Sequence, residues 1–130
     1  MKKLMEAAVK AMENAYVPYS KFQVGAALLL KNGEIITGCN VENASYGLCN
    51  CAERTALFRA YALGYRKDDI IAMSIAGATE GPISPCGACR QVMAELLNFN
   101  TPVYLTNVKF DVKETNVEEL LPYSFSGSDL

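Results

Sequence analysis

Apolar positions recur along this chain in two rhythms, and the alternation between them lays out its elements. Between Lys2 and Ala15, Leu4, Met5, Ala8, Val9 and Met12 fall on one stripe while Lys3, Glu6, Lys10 and Glu13 lie off it, which predicts an amphipathic helix ended by Pro18. Gln23 to Leu30 is apolar almost without interruption, as in a strand covered on both faces. Lys31-Asn32-Gly33 is a hairpin signal, and Glu34 to Asn40 reads as the return strand. After a loop at Ala44 to Asn50 comes a second helix, Ala52 to Leu63, with Gly64 where a helix stops. Ile70 to Ala76 reads as a third buried strand and Gly77 to Ser84 as a loop.

Ala88 to Leu97 reads as a third helix, with Met93, Leu96 and Leu97 at core spacing. Pro102 opens a strand over Val103 to Asn107, and Lys109 to Val112 alternates like a more exposed edge strand. Thr115-x-x-Glu118 has the form of a capping box for a short helix ended by Pro122. Helices alternating with buried strands predict a layered α/β protein. The expected architecture is a three-layer α/β/α sandwich around a mixed sheet of about five strands, in one domain over residues 1–130.

Charge narrows the partners. The formal net charge is -2 and no basic run is present, which disfavours a polyanion partner and favours a small molecule over nucleic acid. Met1-Lys2-Lys3 begins like an export signal, but Glu6, Lys10 and Glu13 break the apolar core such a signal needs. No uncharged run approaches the roughly 20 residues of a membrane span. Five cysteines in that setting point to a reducing cytoplasm and to metal or redox chemistry before structural disulfides.

The cysteines carry the chemistry. Pro85-Cys86-Gly87-Ala88-Cys89 sets two thiols one helical turn apart at a helix start, and Cys51 opens the helix before it. Thiols in a first turn feel the positive end of the peptide dipoles, which favours the thiolate that a metal needs. Cys51, Cys86 and Cys89 together can hold Zn²⁺ and leave its fourth position to water, the arrangement of a catalytic site. Glu53, two residues after Cys51, can take that water's proton and pass it on. Such a combination, with three cysteines and a non-ligand glutamate, belongs to the zinc deaminases of nucleobases. A closed four-cysteine structural site using Cys49 is the alternative, and it leaves Glu53 without a task; Cys39 stands outside both. Arg54 reads either as a solvated helix charge or as a donor offsetting the net -1 of three thiolates on Zn²⁺.

Four blocks, Ser20-Lys21-Phe22-Gln23-Val24-Gly25-Ala26-Ala27, Gly38-Cys39-Asn40-Val41-Glu42-Asn43-Ala44, Cys51-Ala52-Glu53-Arg54-Thr55-Ala56 and Ser84-Pro85-Cys86-Gly87-Ala88-Cys89-Arg90-Gln91, resemble the cytidine deaminase family in its short, tetrameric form. The resemblance runs from about Tyr16 to Phe125 and preserves the order and spacing of the blocks. It implies one zinc per subunit and hydrolysis of cytidine and deoxycytidine to uridine and deoxyuridine with release of ammonia, in pyrimidine salvage. Several residues change their reading with it. Phe22, by pattern a core aromatic, is expected against the pyrimidine. Asn40 and Glu42, by pattern turn residues, are expected on the ribose 3'-hydroxyl. Ala44 is expected at the substrate, and backbone groups of Ala52 and Ser84 at the base edge. Tyr46 and Phe125, otherwise surface aromatics, are expected in a neighbouring subunit's site within a homotetramer. The first zinc ligand is cysteine where many deaminases use histidine, and this chain has no histidine. The nearest rival within the fold is a deaminase of another aminopyrimidine, and the Asn40-x-Glu42 pair argues for a nucleoside. From another class, the rival is a zinc-stabilised interaction module without catalysis, which Glu53 argues against.

Overall fold

The computed structural model describes residues 1–130. Four helices, α1 (Lys2–Ala11), α2 (Ala52–Ala62), α3 (Gly87–Leu96) and α4 (Val117–Leu120), surround five strands. The strands are β1 (Val24–Leu30), β2 (Ile35–Cys39), β3 (Ile70–Gly77), β4 (Pro102–Asn107) and β5 (Val112–Asn116). They form one sheet in the order β2-β1-β3-β4-β5. Only β3 and β4 run parallel, joined by the crossover through α3; every other pair is antiparallel. The mixed α/β architecture is the one that the hydrophobic pattern predicts.

The unbroken apolar run of β1 is explained by burial on both faces. Ala27, with Ala72 and Ala76 of β3, packs under Leu4 and Ala8 of α1 and Met12 just after it. Ala26, Leu28, Met73 and Ile75 face the larger core, under Ala52, Ala56, Leu57 and Ala60 of α2 and Met93 and Leu97 at the end of α3. Small residues set how closely these layers meet. A Cβ on Gly25 would collide with the backbone of α1 at Ala8, and one on Gly38 with the backbone of α2 at Ala56. The hydroxyl of Tyr61 on α2 donates to the Leu96 carbonyl at the end of α3 at 2.8 Å, so the two helices are tied side by side. No helix is long and apolar enough to cross a membrane.

Three local expectations shift. The first helix tightens into a 3₁₀ turn at Met12–Asn14 and is extended by Ala15, so it ends before Pro18 can act. The edge strand is Val112–Asn116, not Lys109 to Val112. Phe110 sits at φ 63, and the Asn107 side chain accepts from the Lys109 and Asp111 N–H groups, which makes a turn of the segment expected to be strand. The cap of α4 lies one residue later than the Thr115 box: Asn116 accepts from the Glu119 N–H at 2.8 Å, and Thr115 remains in the strand.

Candidate active site

Both halves of the thiol cluster come from helix starts. Cys51 is the N-cap of α2 and its carbonyl accepts the first helical bond, from the Thr55 N–H at 3.0 Å. Cys86 is the N-cap of α3, with its carbonyl accepting from the Arg90 N–H at 3.0 Å. Neither sulfur is spent on capping its own helix. Cys89 lies a turn further on and is fully buried. Because α3 begins beyond the carboxyl end of β3 and lies beside α2, the two starts meet. The three sulfurs lie within 4.8 Å of one another, with Cys51 to Cys86 at 3.9 Å and Cys86 to Cys89 at 3.4 Å.

The electrostatics favour a thiolate at Cys51. A thiol hydrogen bond from Cys89 and the neighbouring guanidinium of Arg54 pull Cys51 down to about 5. The hydrogen bond that the Cys89 thiol makes to Cys51 in turn pushes Cys89 up, with burial and the nearby Glu53 carboxylate adding to the shift. Arg54 Nη2 donates to Cys51 Sγ at 3.4 Å, and that contact raises the Arg54 pKa further. Arg54 Nε is buried without a partner, so part of this cation is dehydrated beside the sulfurs. Soft thiolates converging from three sides, with a cation to offset their charge, are the donor set that Zn²⁺ takes. Cys49 lies outside the cluster and bonds instead to the Asn43 backbone. The closed four-cysteine alternative therefore fails in this geometry.

Glu53 is 4% exposed, in the first turn of α2 beside this cluster. Burial pushes its carboxyl above the ordinary value, and the Cys51 thiolate adds to the shift. A carboxyl raised in this way is suited to exchanging protons near neutral pH.

The cluster opens on a cavity of about 210 Å³ lined by Phe22, Val24, Asn40, Cys51, Ala52, Glu53, Ile83, Ser84 and Cys86. Of the sequence-predicted residues, Phe22, Asn40, Ala52 and Ser84 line it with Glu53 and two of the cysteines, while Cys89 is buried beneath. Glu42 stands outside the lining, bonded to the loop that carries Phe22. Ala44, Tyr46 and Phe125 are exposed outside this cavity, Tyr46 at 78% and Phe125 at 59%. Sequence reasoning missed Val24 and Ile83. Val24 was accessible from the two-residue period that puts it on the same face as Phe22. Ile83 showed as a lone aliphatic side chain in the polar loop before the Cys-x-x-Cys segment.

Known proteins resemble this chain over nearly its whole length. Residues 1–106 match the family described as the cytidine and deoxycytidylate deaminase zinc-binding region. The chain is 58% identical over 127 residues to the cytidine deaminase of Halalkalibacterium halodurans, covering 98% of this chain and 95% of that protein. It is 56% identical over 130 residues to that of Sporosarcina psychrophila, covering 100% of this chain and 94% of the relative. The crystal structure of cytidine deaminase from Burkholderia pseudomallei superposes with a TM-score of 0.93 at 58% identity, over 95% of this chain and 98% of the other. That from Mycobacterium tuberculosis gives 0.80 at 36% identity, over 96% of each. Likeness over nearly the full length reaches the thiols, the glutamate beside them and the sheet that brings them together, and by it this chain belongs to the cytidine and deoxycytidylate deaminase family.

Proposed function

We propose that the protein hydrolyses cytidine and deoxycytidine to uridine and deoxyuridine, releasing ammonia, as a cytoplasmic enzyme of pyrimidine salvage. The observation that carries this reading is a buried carboxyl, Glu53, set beside three convergent thiols at the floor of a cavity. Cys51, Cys86 and Cys89 would hold Zn²⁺, which would supply a Lewis acid that brings the pKa of a water towards neutrality.

The protein's own residues do the rest. The Glu53 carboxylate accepts the proton from that water and delivers it to N3 of the cytosine ring, which leaves C4 electron-poor. The hydroxide left from the water adds to C4. The same carboxyl takes the proton of the new C4 hydroxyl and delivers it to the amino group, so that the C4–N bond breaks, ammonia leaves and the C4 carbonyl forms. One group acts as base and then as acid, a cycle suited to a carboxyl already raised by burial. Backbone groups of Ala52 and Ser84 meet the base edge, Phe22 packs on its face, and Val24 and Ile83 exclude water. Asn40 and Glu42 take the ribose 3'-hydroxyl. Arg54 offsets thiolate charge and so preserves the ion's pull on its water.

A homotetramer completes each site. A cavity of about 210 Å³ falls short of the roughly 300 Å³ at which ligand sites begin. Exposed Tyr46 and Phe125 are available to wall it from a neighbour, with Ala44 at the substrate in the closed site. The small acidic balance supports a free nucleoside over nucleic acid as substrate.

The test follows the ultraviolet change as cytidine becomes uridine, with Glu53→Ala protein of equal zinc content as the control. Turnover in the wild type alone is expected. Inactivity of the zinc-loaded wild type would refute the nucleoside reading, and equal turnover by Glu53→Ala would refute the role of the carboxyl.

A further inference from the structure

The segment that carries Phe22 into the cavity has no helix or strand of its own from Tyr19 to Gln23. Its shape comes from two side chains of the segment after β2. Asn40 brackets it on one side, Nδ2 donating to the Phe22 carbonyl at 2.8 Å and Oδ1 accepting from the Val24 N–H at 2.9 Å. Glu42 brackets it on the other, Oε1 accepting from the N–H groups of Tyr19 and Ser20, each at 3.1 Å. Between the two brackets lies Lys21 at φ 60, a left-handed conformation that a non-glycine residue adopts only where its surroundings impose it.

One hydroxyl connects these features. Ser20 Oγ donates its only hydrogen to Glu42 Oε2 and accepts from the Phe22 N–H at 3.0 Å. It therefore spans the left-handed residue, with a carboxylate on one side and the aromatic residue's backbone on the other. With Oε1 already held by two N–H groups, the Ser20 bond fixes the second carboxylate oxygen as well. The rotation of Glu42 is then set, along with the direction of its one remaining lone pair, on Oε2.

We propose that Ser20 is a positioning residue that sets two substrate contacts at once, the Glu42 carboxylate at the sugar and the Phe22 ring at the base. This rests on the reading of Glu42 as a 3'-hydroxyl acceptor and Phe22 as a wall of the base pocket. None of these hydrogen bonds reaches the thiols or Glu53, which stand at the starts of α2 and α3. Losing the hydroxyl weakens nucleoside binding and leaves the chemical step in place.

The experiment measures kcat and KM of the zinc-loaded enzyme for cytidine and 2',3'-dideoxycytidine, using wild type, Ser20→Ala, Ser20→Thr and Glu42→Gln. A hydrogen bond to a charged group sets the scale at roughly tenfold. Ser20→Ala should raise KM for cytidine by about that factor with kcat nearly unchanged. It should raise KM for the dideoxy substrate less, because only the Phe22 contribution remains, and Ser20→Thr should restore both values. Equal losses in Ser20→Ala and Ser20→Thr would overturn the proposal, since the hydroxyl would not be the cause. So would an unchanged KM in Ser20→Ala, or equal losses on the two substrates. Glu42→Gln separates the underlying reading. If it leaves the preference for cytidine over the dideoxy substrate intact, the sugar contact itself is wrong. If it abolishes that preference while Ser20→Ala keeps it, only the role of Ser20 falls.

Discussion

The two ends of the cavity are built by opposite means. At the metal end, Cys51 and Cys86 are the N-caps of α2 and α3 and Glu53 and Cys89 stand in their first turns, on helices whose inner faces lie in the main core. At the end proposed for the sugar, Phe22 is carried by an irregular segment held through side chains of Asn40, Glu42 and Ser20. The metal end is braced from further away too. Arg90 Nε donates to the Pro85 carbonyl at 2.8 Å and Nη1 to the Leu120 carbonyl at 2.9 Å, which ties the start of α3 to α4. Buried Asn107 donates to the Thr79 and Glu80 carbonyls at 3.0 and 2.9 Å, anchoring the loop that carries Ile83 and Ser84. The difference teaches a division of labour. Atoms that must meet an ion to within tenths of an ångström sit on rigid elements, and atoms that meet a soluble ligand sit on a segment held by a few exposed bonds.

The division can be broken first at the metal end. Glu53→Ala should lower kcat by about 10³ to 10⁴, the upper part of the range for general acid–base catalysis, with zinc content unchanged by metal analysis. Arg54→Ala should weaken zinc retention about 10- to 100-fold in competition with a chelator, because the Cys51 thiolate loses its hydrogen-bond donor. Asn107→Ala should cost on the order of 1–3 kcal/mol for each buried backbone group left without a partner, read as a lower midpoint in urea. Its effect on kcat/KM should exceed that of a change elsewhere on β4, because Ser84 follows the loop it anchors.

The smallest effect sharpens the comparison at the sugar end. Ser20, through its hydroxyl and then its N–H, holds the Glu42 carboxyl below the ordinary 4.5, with Tyr19 and the Lys21 charge adding to the effect. A carboxyl depressed by folding contributes its stabilisation above the unfolded value and loses it as pH falls through the folded one. The loop bracket is thus complete at neutral pH and releases only below the usual carboxylate range. In Ser20→Ala the midpoint should move back up towards 4.5, so that release begins at higher pH. Carboxyl-carbon NMR titration of Glu42 in the two proteins checks this, and identical midpoints would contradict it.

Much of this was legible in the chain. The unbroken run of β1, the stripe of α1 and Gly64 behind α2 each follow from local rules, and the structure keeps them, with Gly64 at φ 98. Cys51, Glu53, Cys86 and Cys89 are marked by residue type and spacing, because metal chemistry constrains both. Other features depend on partners distant in sequence. The polar–apolar alternation of Lys109 to Val112 resembled a strand until Asn107 and the left-handed Phe110 turned it. Asn40 and Glu42 looked like turn residues or sugar contacts, and neither reading foresaw that they hold the Phe22 segment in place.

The sequence by itself determined most of the helices and strands and marked the candidate metal ligands and Glu53, since period, capping and ligand type are local properties. Only the tertiary structure decided that the starts of α2 and α3 meet, because that depends on the parallel crossover from β3 to β4 and on Gly38 letting α2 approach β2. It likewise decided the shape of the sugar end, where Glu42 bonds to a segment 22 and 23 residues before it. Bonds of that reach form once the sheet has fixed the distance between their ends, and no local pattern records them.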